Sequence, residues 1–217
     1  FWTVHVDRPY PEGSRLIEGD IIVSEPQLAA SKGPHAATYG GTLWPNNVCV
    51  YDFDANMQPH SVQTVLDAMA DWEALTGLVF IPRDQHENWI HIRNSSSDLT
   101  PSCSSAIGMT GGMQTLNLSN GCLGSFTVHH ELAHALGTYH EQSRTDRDGY
   151  VSINWCNIEG SSSCGPNIDG AAFNFQTIPI SEHFGPYDFD SVMHYRWDAF
   201  ADCQAVLGCG ASCPSPE

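Results

Sequence analysis

The segment from residue 130 to residue 140 restricts the fold more than any other part of the chain. His130 and His134 stand four residues apart, a spacing that projects both imidazoles from one face of a helix. Gly137 permits a left-handed backbone, so the chain can leave the helix in a sharp turn and bring His140 back toward that face. Three neutral imidazoles can bind one Zn²⁺ and leave a fourth position open. The segment therefore predicts a catalytic zinc site at the end of a helix.

Glu131 follows the first histidine and is placed to reach the open position without being a ligand. Zinc acidifies water, and a carboxylate there can take the proton as general base and pass it to the leaving amine. The alternatives for H-E-x-x-H alone are an amphipathic helix with exposed polar residues and a closed structural zinc site. Gly137 and His140 favour a catalytic site over both. His129 points about 100° away around the helix, so we predict that it is not a ligand.

Composition sets the class of protein and excludes several partners. The 217 residues suffice for one domain with a hydrophobic core. The chain holds 25 acidic and 8 basic residues, a net charge of -17, and a field of this sign repels polyanions. Its longest apolar runs are far shorter than the roughly 18 residues of a membrane span. We therefore predict neither a nucleic-acid partner nor a membrane partner.

The hydrophobic pattern predicts a mixed α+β domain. Apolar residues recur at three- and four-residue steps over residues 61–76, which predicts a helix that Gly77 ends. A second helix is predicted at about residues 126–136. Strands are predicted at residues 47–51, 78–81, 89–93 and 113–118. Proline and glycine break any long element before about residue 40, so the beginning of the chain is predicted to be an extended arm.

Eight cysteines without a C-x-x-C pair favour disulfides over a zinc ribbon or a redox motif. They stand at positions 49, 103, 122, 156, 164, 203, 209 and 213. An even number at scattered spacings fits an oxidising compartment, so we predict a secreted protein. The alternative is a cytosolic enzyme with buried free thiols.

The extended pattern H-E-x-x-H-x-x-G-x-x-H of residues 130–140 is that of the metzincins. The run that follows, E-Q-S-R-T-D-R-D at residues 141–148, resembles the astacin family of metalloendopeptidases. The sequence S-V-M-H-Y at residues 191–195 is similar to the Met-turn of that family. The resemblance implies that Met193 forms an apolar floor beneath the histidines. It also implies that Tyr195 is a further zinc ligand whose hydroxyl can stabilise the tetrahedral intermediate.

The resemblance also implies a zincin-like, two-lobed catalytic domain over residues 35–217. The upper lobe, about residues 35–137, would hold a twisted mixed sheet and two long helices. The lower lobe, about residues 138–217, would be small and irregular. The chain ends sooner after Tyr195 than is usual in this family, which predicts either a truncated chain or a small lower lobe held by the last three cysteines.

Disulfide pairing is implied by the family at one position and open at the others. In astacins a disulfide closes the strand and loop before the zinc helix, and Cys103 and Cys122 flank that segment here. A short loop from Cys156 to Cys164 is one further pairing. In that case Cys49 would pair with one of the last three cysteines.

Other family features concern the substrate and the start of the mature enzyme. An edge strand, here about residues 104–108, would bind the backbone of protein and peptide substrates by strand addition. The acid after the third histidine, Glu141, would accept the new amino terminus of the mature enzyme. Trp-Pro-Asn at residues 44–46 resembles the segment near that start, so an activating protease would cut around residues 32–37. Residues 1–34 would then be a propeptide.

Within this arm, residues 17–20 (I-E-G-D) are similar to the F-x-G-D inhibitory motif of astacin propeptides. The family's phenylalanine is replaced here by Ile17. The resemblance implies that Asp20 ligates the zinc in a latent form and displaces the catalytic water, because a carboxylate is a good zinc ligand. The propeptide would then be an intramolecular inhibitor. The alternative is a surface aspartate in an N-terminal arm.

The sequence thus predicts a secreted zinc endopeptidase of the astacin type with one catalytic Zn²⁺, latent until its arm is removed. Another metzincin, such as a matrixin-like or adamalysin-like peptidase, is disfavoured by Glu141 directly after the third histidine and by Tyr195 two residues after Met193. A zinc-stabilised binding or adhesion module is the alternative from another class of protein. Glu131 argues against it, because a structural zinc site needs no base.

Overall fold

A mixed seven-stranded sheet is formed by the residues that the computed structural model describes, which are 14–17, 20–24, 43–94, 103–160, 170–179 and 185–202. The strands are β1 (Ser14–Ile17), β2 (Ile21–Ser24), β3 (Val48–Phe53), β4 (Val79–Pro82), β5 (Trp89–Arg93), β6 (Cys103–Ala106) and β7 (Met113–Leu118). Their order across the sheet is β1-β2-β6-β7-β5-β3-β4. Strand β6 runs antiparallel to β7, whereas β7, β5, β3 and β4 are parallel to one another. The strands predicted from the hydrophobic pattern are confirmed as β3, β4, β5 and β7.

Two α-helices pack on this sheet, α1 (Pro59–Leu75) and α2 (Ser125–Leu136). Short 3-10 helices precede β3 and α2, at Pro45–Asn47 and Asn120–Cys122. Both predicted α-helices are confirmed, but the reason given for the end of the first is wrong. Thr76 takes an extended conformation, and its hydroxyl donates to the carbonyl of Trp72 at 2.6 Å. The helix therefore ends before Gly77, whose φ is not positive.

The main core lies between the two helices and the sheet. Helix α2 contributes Val128 and Leu132, and the strands contribute Ile90, Ile92 and Leu116, all of them buried. Each buried aliphatic side chain of this size contributes about 1.5–3 kcal/mol. Because one face of α2 is held in this core, the positions of the residues on its other faces are also set.

The N-terminal arm adds two strands to the sheet. Strands β1 and β2 form an antiparallel hairpin, and β2 pairs in parallel with β6 through Ile21↔Ser105 and Ile22↔Ala106. The amide of Ser105 donates to the carbonyl of Asp20 at 2.9 Å, and the side chain of Ile21 is fully buried. The arm is extended in these two segments, as predicted, but they form regular strands that the sequence did not indicate, because the edge of β6 supplies the hydrogen-bonding partners that β2 needs.

Beyond α2, the described residues form loops and short 3-10 helices. These helices span Glu141–Ser143, Arg147–Gly149, Trp155–Asn157 and Gly170–Phe175. A second, small core surrounds Ile158, Ala172 and Phe175. The prediction of a small, irregular lower lobe is confirmed for the part that the structure describes. Neither α-helix of the described ranges combines the length and the apolar composition that crossing a membrane requires.

Candidate active site

The end of α2 places two of the three predicted ligands. His130 is partly buried, with 13% of its side chain exposed, and His134 is fully buried. Gly137 has φ 106° and ψ 16°, in the left-handed region. Its amide donates to the carbonyl of His134 at 2.8 Å, and the amide of Thr138 donates to that of Ala133 at 2.9 Å. This pair of hydrogen bonds is a Schellman motif, and it turns the chain toward His140.

Replacement of Gly137 by alanine is expected to destabilise the fold and weaken zinc binding. A side chain at this φ costs about 1–2 kcal/mol, which corresponds to a Tm lower by roughly 2–8 °C. Thermal unfolding and a zinc titration of the variant measure both effects. Gly149→Ala is the control, since this glycine has room for a methyl group and its φ is not positive. An equal loss in the control would contradict the assignment.

Three imidazoles meet at one point. The Nε2 atom of His130 lies 3.1 Å from that of His134 and 3.1 Å from that of His140. Ligand nitrogens around a tetrahedral zinc ion lie about 3.3 Å apart, given zinc–nitrogen distances near 2.0–2.1 Å. His129 lies outside this cluster, with its Nε2 atom 3.1 Å from a carboxylate oxygen of Asp71. The predicted set of three histidines is therefore brought together by the fold.

Hydrogen bonds on the far side of the rings set their tautomers. Nδ1 of His130 donates to the carbonyl of Val192 at 2.8 Å, and Nδ1 of His134 donates to that of Thr138 at 2.7 Å. The Nε2 atoms then carry lone pairs that face one another and repel unless a cation lies between them. Burial holds the pKa of His134 well below its ordinary value although the charge of Asp20 acts to raise it, so His134 stays neutral as a ligand must. This donor set fits a zinc ion.

Asp20 faces the three histidines from the turn before β2. Its Oδ2 lies 3.3 Å from Nε2 of His130, and its Oδ1 lies 3.4 Å from that of His140 and 3.6 Å from that of His134. Burial alone would raise the pKa of Asp20, but the facing imidazoles outweigh it, His140 most, and lower the pKa well below its ordinary value. Together the four side chains form a group that can hold one metal ion.

Glu131 lies beside this group with 1% of its surface exposed. Its Oε2 atom has no hydrogen-bond partner among the described residues. Burial, and then the negative charge of Asp20, raise the pKa of Glu131 well above its ordinary value. A carboxyl group with one oxygen left without a partner among the described residues is available to take and return a proton.

A cavity of about 310 Å³ opens beside the histidines. It is lined by Asp20, Cys103, Phe126, Thr127, His130, Glu131, Tyr195 and Phe200. Phe126 and Phe200 carry no signal in the sequence that would assign them to the site. Phe200 has φ 55°, a backbone conformation that bulky residues rarely adopt, and such outliers cluster at functional sites.

The segment 191–195 lies against the histidines. The ring centroid of Tyr195 is 4.5 Å from that of His140. Met193 is buried, and its carbonyl accepts a hydrogen bond from the amide of Glu141 at 3.0 Å. Since the carbonyl of Val192 accepts from His130, this turn is bonded to two segments that carry predicted ligands.

Glu141 directly follows the third histidine and is engaged in an ion pair. Its Oε1 accepts from Nη1 of Arg144 and from the amide of Asp188, both at 2.9 Å. The segment around residues 32–37, where the new amino terminus would arise, lies outside the described residues. The pairing of Glu141 with that terminus stays a prediction.

The structure confirms one predicted disulfide and contradicts the pairing predicted for one further cysteine. Cys103 and Cys122 form the disulfide that the family resemblance implies. Cys156 is also disulfide-bonded, whereas Cys164 and the last three cysteines lie outside the described residues. Cys49 is a free thiol, so the pairing proposed for it is wrong. It lies in the core on β3, where burial, with a further contribution from Glu73, raises the pKa of the thiol to about 12.

Comparison with known proteins agrees with this geometry. The family model of the astacin peptidases matches residues 36–208. The chain is 32% identical over 193 residues to zinc metalloproteinase nas-4 of Caenorhabditis elegans, covering 85% of this chain and 57% of the relative. It is 32% identical over 192 residues to high choriolytic enzyme 2 of Oryzias latipes, covering 86% and 62%. The chain therefore spans less than two thirds of the length of these two relatives.

A solved structure shows the same fold. High choriolytic enzyme 1, a hatching enzyme zinc-protease from Oryzias latipes, superposes with a TM-score of 0.63 and 34% sequence identity. The superposition covers 74% of this chain and 75% of that structure. The histidine cluster, the fold and the family match lead to one conclusion: the chain belongs to the astacin family of peptidases.

Proposed function

We propose that this chain is a zinc-dependent endopeptidase that hydrolyses peptide bonds of proteins. The observation that carries the proposal is the convergence of three imidazoles beside the buried side chain of Glu131. The Nε2 atom of His130 lies 3.1 Å from the Nε2 atoms of both His134 and His140. An adjoining cavity gives a peptide access to this point. Relatives named as metalloproteinases support the same reaction.

The histidines and Glu131 divide the chemistry between them. His130, His134 and His140 would hold one Zn²⁺, which supplies a Lewis acid for the peptide carbonyl and makes water a nucleophile near neutral pH. Glu131 takes a proton from the attacking water and passes it to the leaving amine. Its burial raises the pKa of the carboxyl group, which favours uptake of the proton from water.

Tyr195 would stabilise the oxyanion and serve as a further ligand. Support for this role comes from its ring, which lies against that of His140, and from its place in the wall of the cavity. A hydroxyl held beside the reacting carbonyl is a preorganised donor. Met193, which is buried in the same turn, would form the apolar floor beneath the histidines.

The arm would keep the enzyme latent by two separate contacts. The Asp20 carboxylate faces all three histidines and fills the position that water needs. Strand β2 pairs with β6, the edge to which a substrate backbone would add. On this proposal residues 1–34 are a propeptide and residues 35–217 the catalytic domain, with lobes at about 35–137 and 138–217. An activating protease removes the arm, and Glu141 then pairs with the new terminus.

We also propose that the protein is secreted. Cys103, Cys122 and Cys156 are disulfide-bonded, and disulfides form and persist in oxidising compartments. Expression of the chain behind a secretory signal should yield protein with these disulfides, which peptide mapping without reduction detects. Reduced Cys103 and Cys122 in that product would contradict the proposal.

The test is peptidase activity on a denatured protein, measured before and after trace trypsin and with and without a zinc chelator. We expect activity to arise only after cleavage near Lys32, to vanish with chelator and to return with added zinc. Activity in the intact chain would keep the enzyme but remove latency. Zinc binding without hydrolysis, under every condition, would favour the binding module instead.

A further inference from the structure

We infer that Tyr187 and His194 are positioning residues that fix the backbone of Tyr195 in the active site. The inference rests on the role of Tyr195 in the proposed function. The amide of Tyr195 donates to Oε1 of Gln142 at 3.0 Å, and its carbonyl accepts from Nδ1 of His194 at 2.6 Å. Both polar groups of its backbone are thus held by side chains. We call Gln142, His194 and Tyr187 the Tyr195 clamp.

The third member of the clamp binds the unprotonated ring nitrogen of the second. The hydroxyl of Tyr187 lies 2.7 Å from Nε2 of His194. Since Nδ1 of His194 faces a carbonyl, which only accepts, Nδ1 carries the proton and Nε2 accepts from the Tyr187 hydroxyl. Burial, with the charge of Glu141, raises the pKa of Tyr187 to about 12, so its hydroxyl keeps the proton it donates.

Tyr187 is itself fixed by the segment that follows the third histidine. Its ring is buried and stacks on that of Tyr150, with centroids 4.8 Å apart and an interplanar angle of 11°. The guanidinium of Arg144 lies 5.5 Å from the ring centroid and also binds Glu141. The position of Tyr187 therefore depends on the same segment that supplies His140.

The clamp leaves only the side-chain torsions of Tyr195 free to move. Its ring packs near Phe175 and Phe200, at centroid distances of 5.7 and 5.6 Å, as well as His140. With the backbone fixed, the hydroxyl reaches the oxyanion without reorganisation of the turn, and a donor placed in advance stabilises a transition state best. Loss of the Tyr187 hydroxyl should therefore lower kcat more than it changes KM.

The first experiment compares Tyr187→Phe with Tyr150→Phe, which removes the same group from the neighbouring ring. Both zinc-loaded variants are assayed after cleavage of the arm. We expect kcat to fall about three- to tenfold in Tyr187→Phe, the size of one lost hydrogen bond, with KM unchanged. Tyr150→Phe should match the wild type. In a Tyr195→Phe background, Tyr187→Phe should cost nothing further. An additive loss there, or equal losses in the two variants, would overturn the inference.

The second readout is independent of activity. Nitrogen-15 NMR of the full chain should show His194 as the Nδ1–H tautomer in both proteins, because the carbonyl of Tyr195 is present in both. The Nε2 resonance should shift in Tyr187→Phe toward that of a ring nitrogen without a hydrogen bond. An Nε2–H tautomer in the wild type, or an unchanged Nε2 resonance in Tyr187→Phe, would overturn the clamp. Full activity of Tyr195→Phe would instead refute the role of Tyr195 in the proposed function, and the NMR result would still decide the clamp.

Discussion

Replacement of Glu131 by glutamine is expected to abolish peptide hydrolysis and leave zinc bound. Glutamine keeps the volume of the side chain but cannot accept the proton, and a general base of this kind contributes about 10²–10⁴-fold to the rate. The measurement is kcat/KM of the arm-cleaved, zinc-loaded protein, with metal content determined on the same sample. We expect folding to be retained, because glutamine keeps the volume of a buried side chain whose Oε2 lacks a partner among the described residues.

The control for this variant is Glu87→Gln, which makes the same change at an exposed glutamate. It should keep the full rate and the full zinc content. Retention of more than about a tenth of the activity by Glu131→Gln would show that another group is the base. Loss of zinc from the variant would assign Glu131 to metal binding.

Replacement of Asp20 by alanine is expected to raise the activity of the uncleaved chain by at least about tenfold, since the alanine removes a carboxylate from the position that water needs. The rise should stop short of the activity of the cleaved enzyme, because β2 still covers the edge of β6. Hydrolysis of a short peptide should recover more fully than that of a protein, since a short peptide needs less of that edge. The measurement is the rate of uncleaved and cleaved protein with each substrate.

After cleavage, Asp20→Ala and the wild type should be equally active, because the arm has left. Asp84→Ala, at an exposed aspartate far along the chain, is the matched control and should leave the uncleaved chain inactive. No gain in uncleaved Asp20→Ala would mean that the carboxylate is not part of the block. Full activity without cleavage would mean that the pairing of β2 with β6 is not part of it.

The parts of the fold that could be predicted are those with a local physical cause. Helix α2 could be predicted from the periodicity of its apolar residues. The two ligands on it could be predicted from their four-residue spacing, because residues four apart lie on the same face of a helix. The turn at Gly137 follows from the one residue that adopts a positive φ without strain. The strands β5 and β7 follow from alternation of apolar and polar residues over residues 89–93 and 113–118.

The predictions that failed depend on partners distant in sequence or on a competing local bond. The arm forms β1 and β2 only because the edge of β6 offers hydrogen bonds to Ile21 and Ile22. Cys49 is a free thiol in the core on β3, and no spacing between cysteines reveals that. Thr76 ends α1 by taking an extended conformation, in which its hydroxyl accepts from the amide of Leu78, and Gly77 makes no left-handed turn there.

The sequence by itself determined the three histidines of the cluster and the place of Glu131 beside them, because these residues lie within eleven consecutive positions where local geometry decides their relation. The tertiary structure decided how the backbone of Tyr195 is held, and it brought Asp20, which the family resemblance implied as a ligand, to the three histidines. Asp20 reaches the histidines across 110 residues, and the contact of Tyr195 with Gln142 spans 53. Contacts over such separations depend on how the sheet, the arm and the turn at residues 191–195 pack together, and local propensity carries no information about that packing.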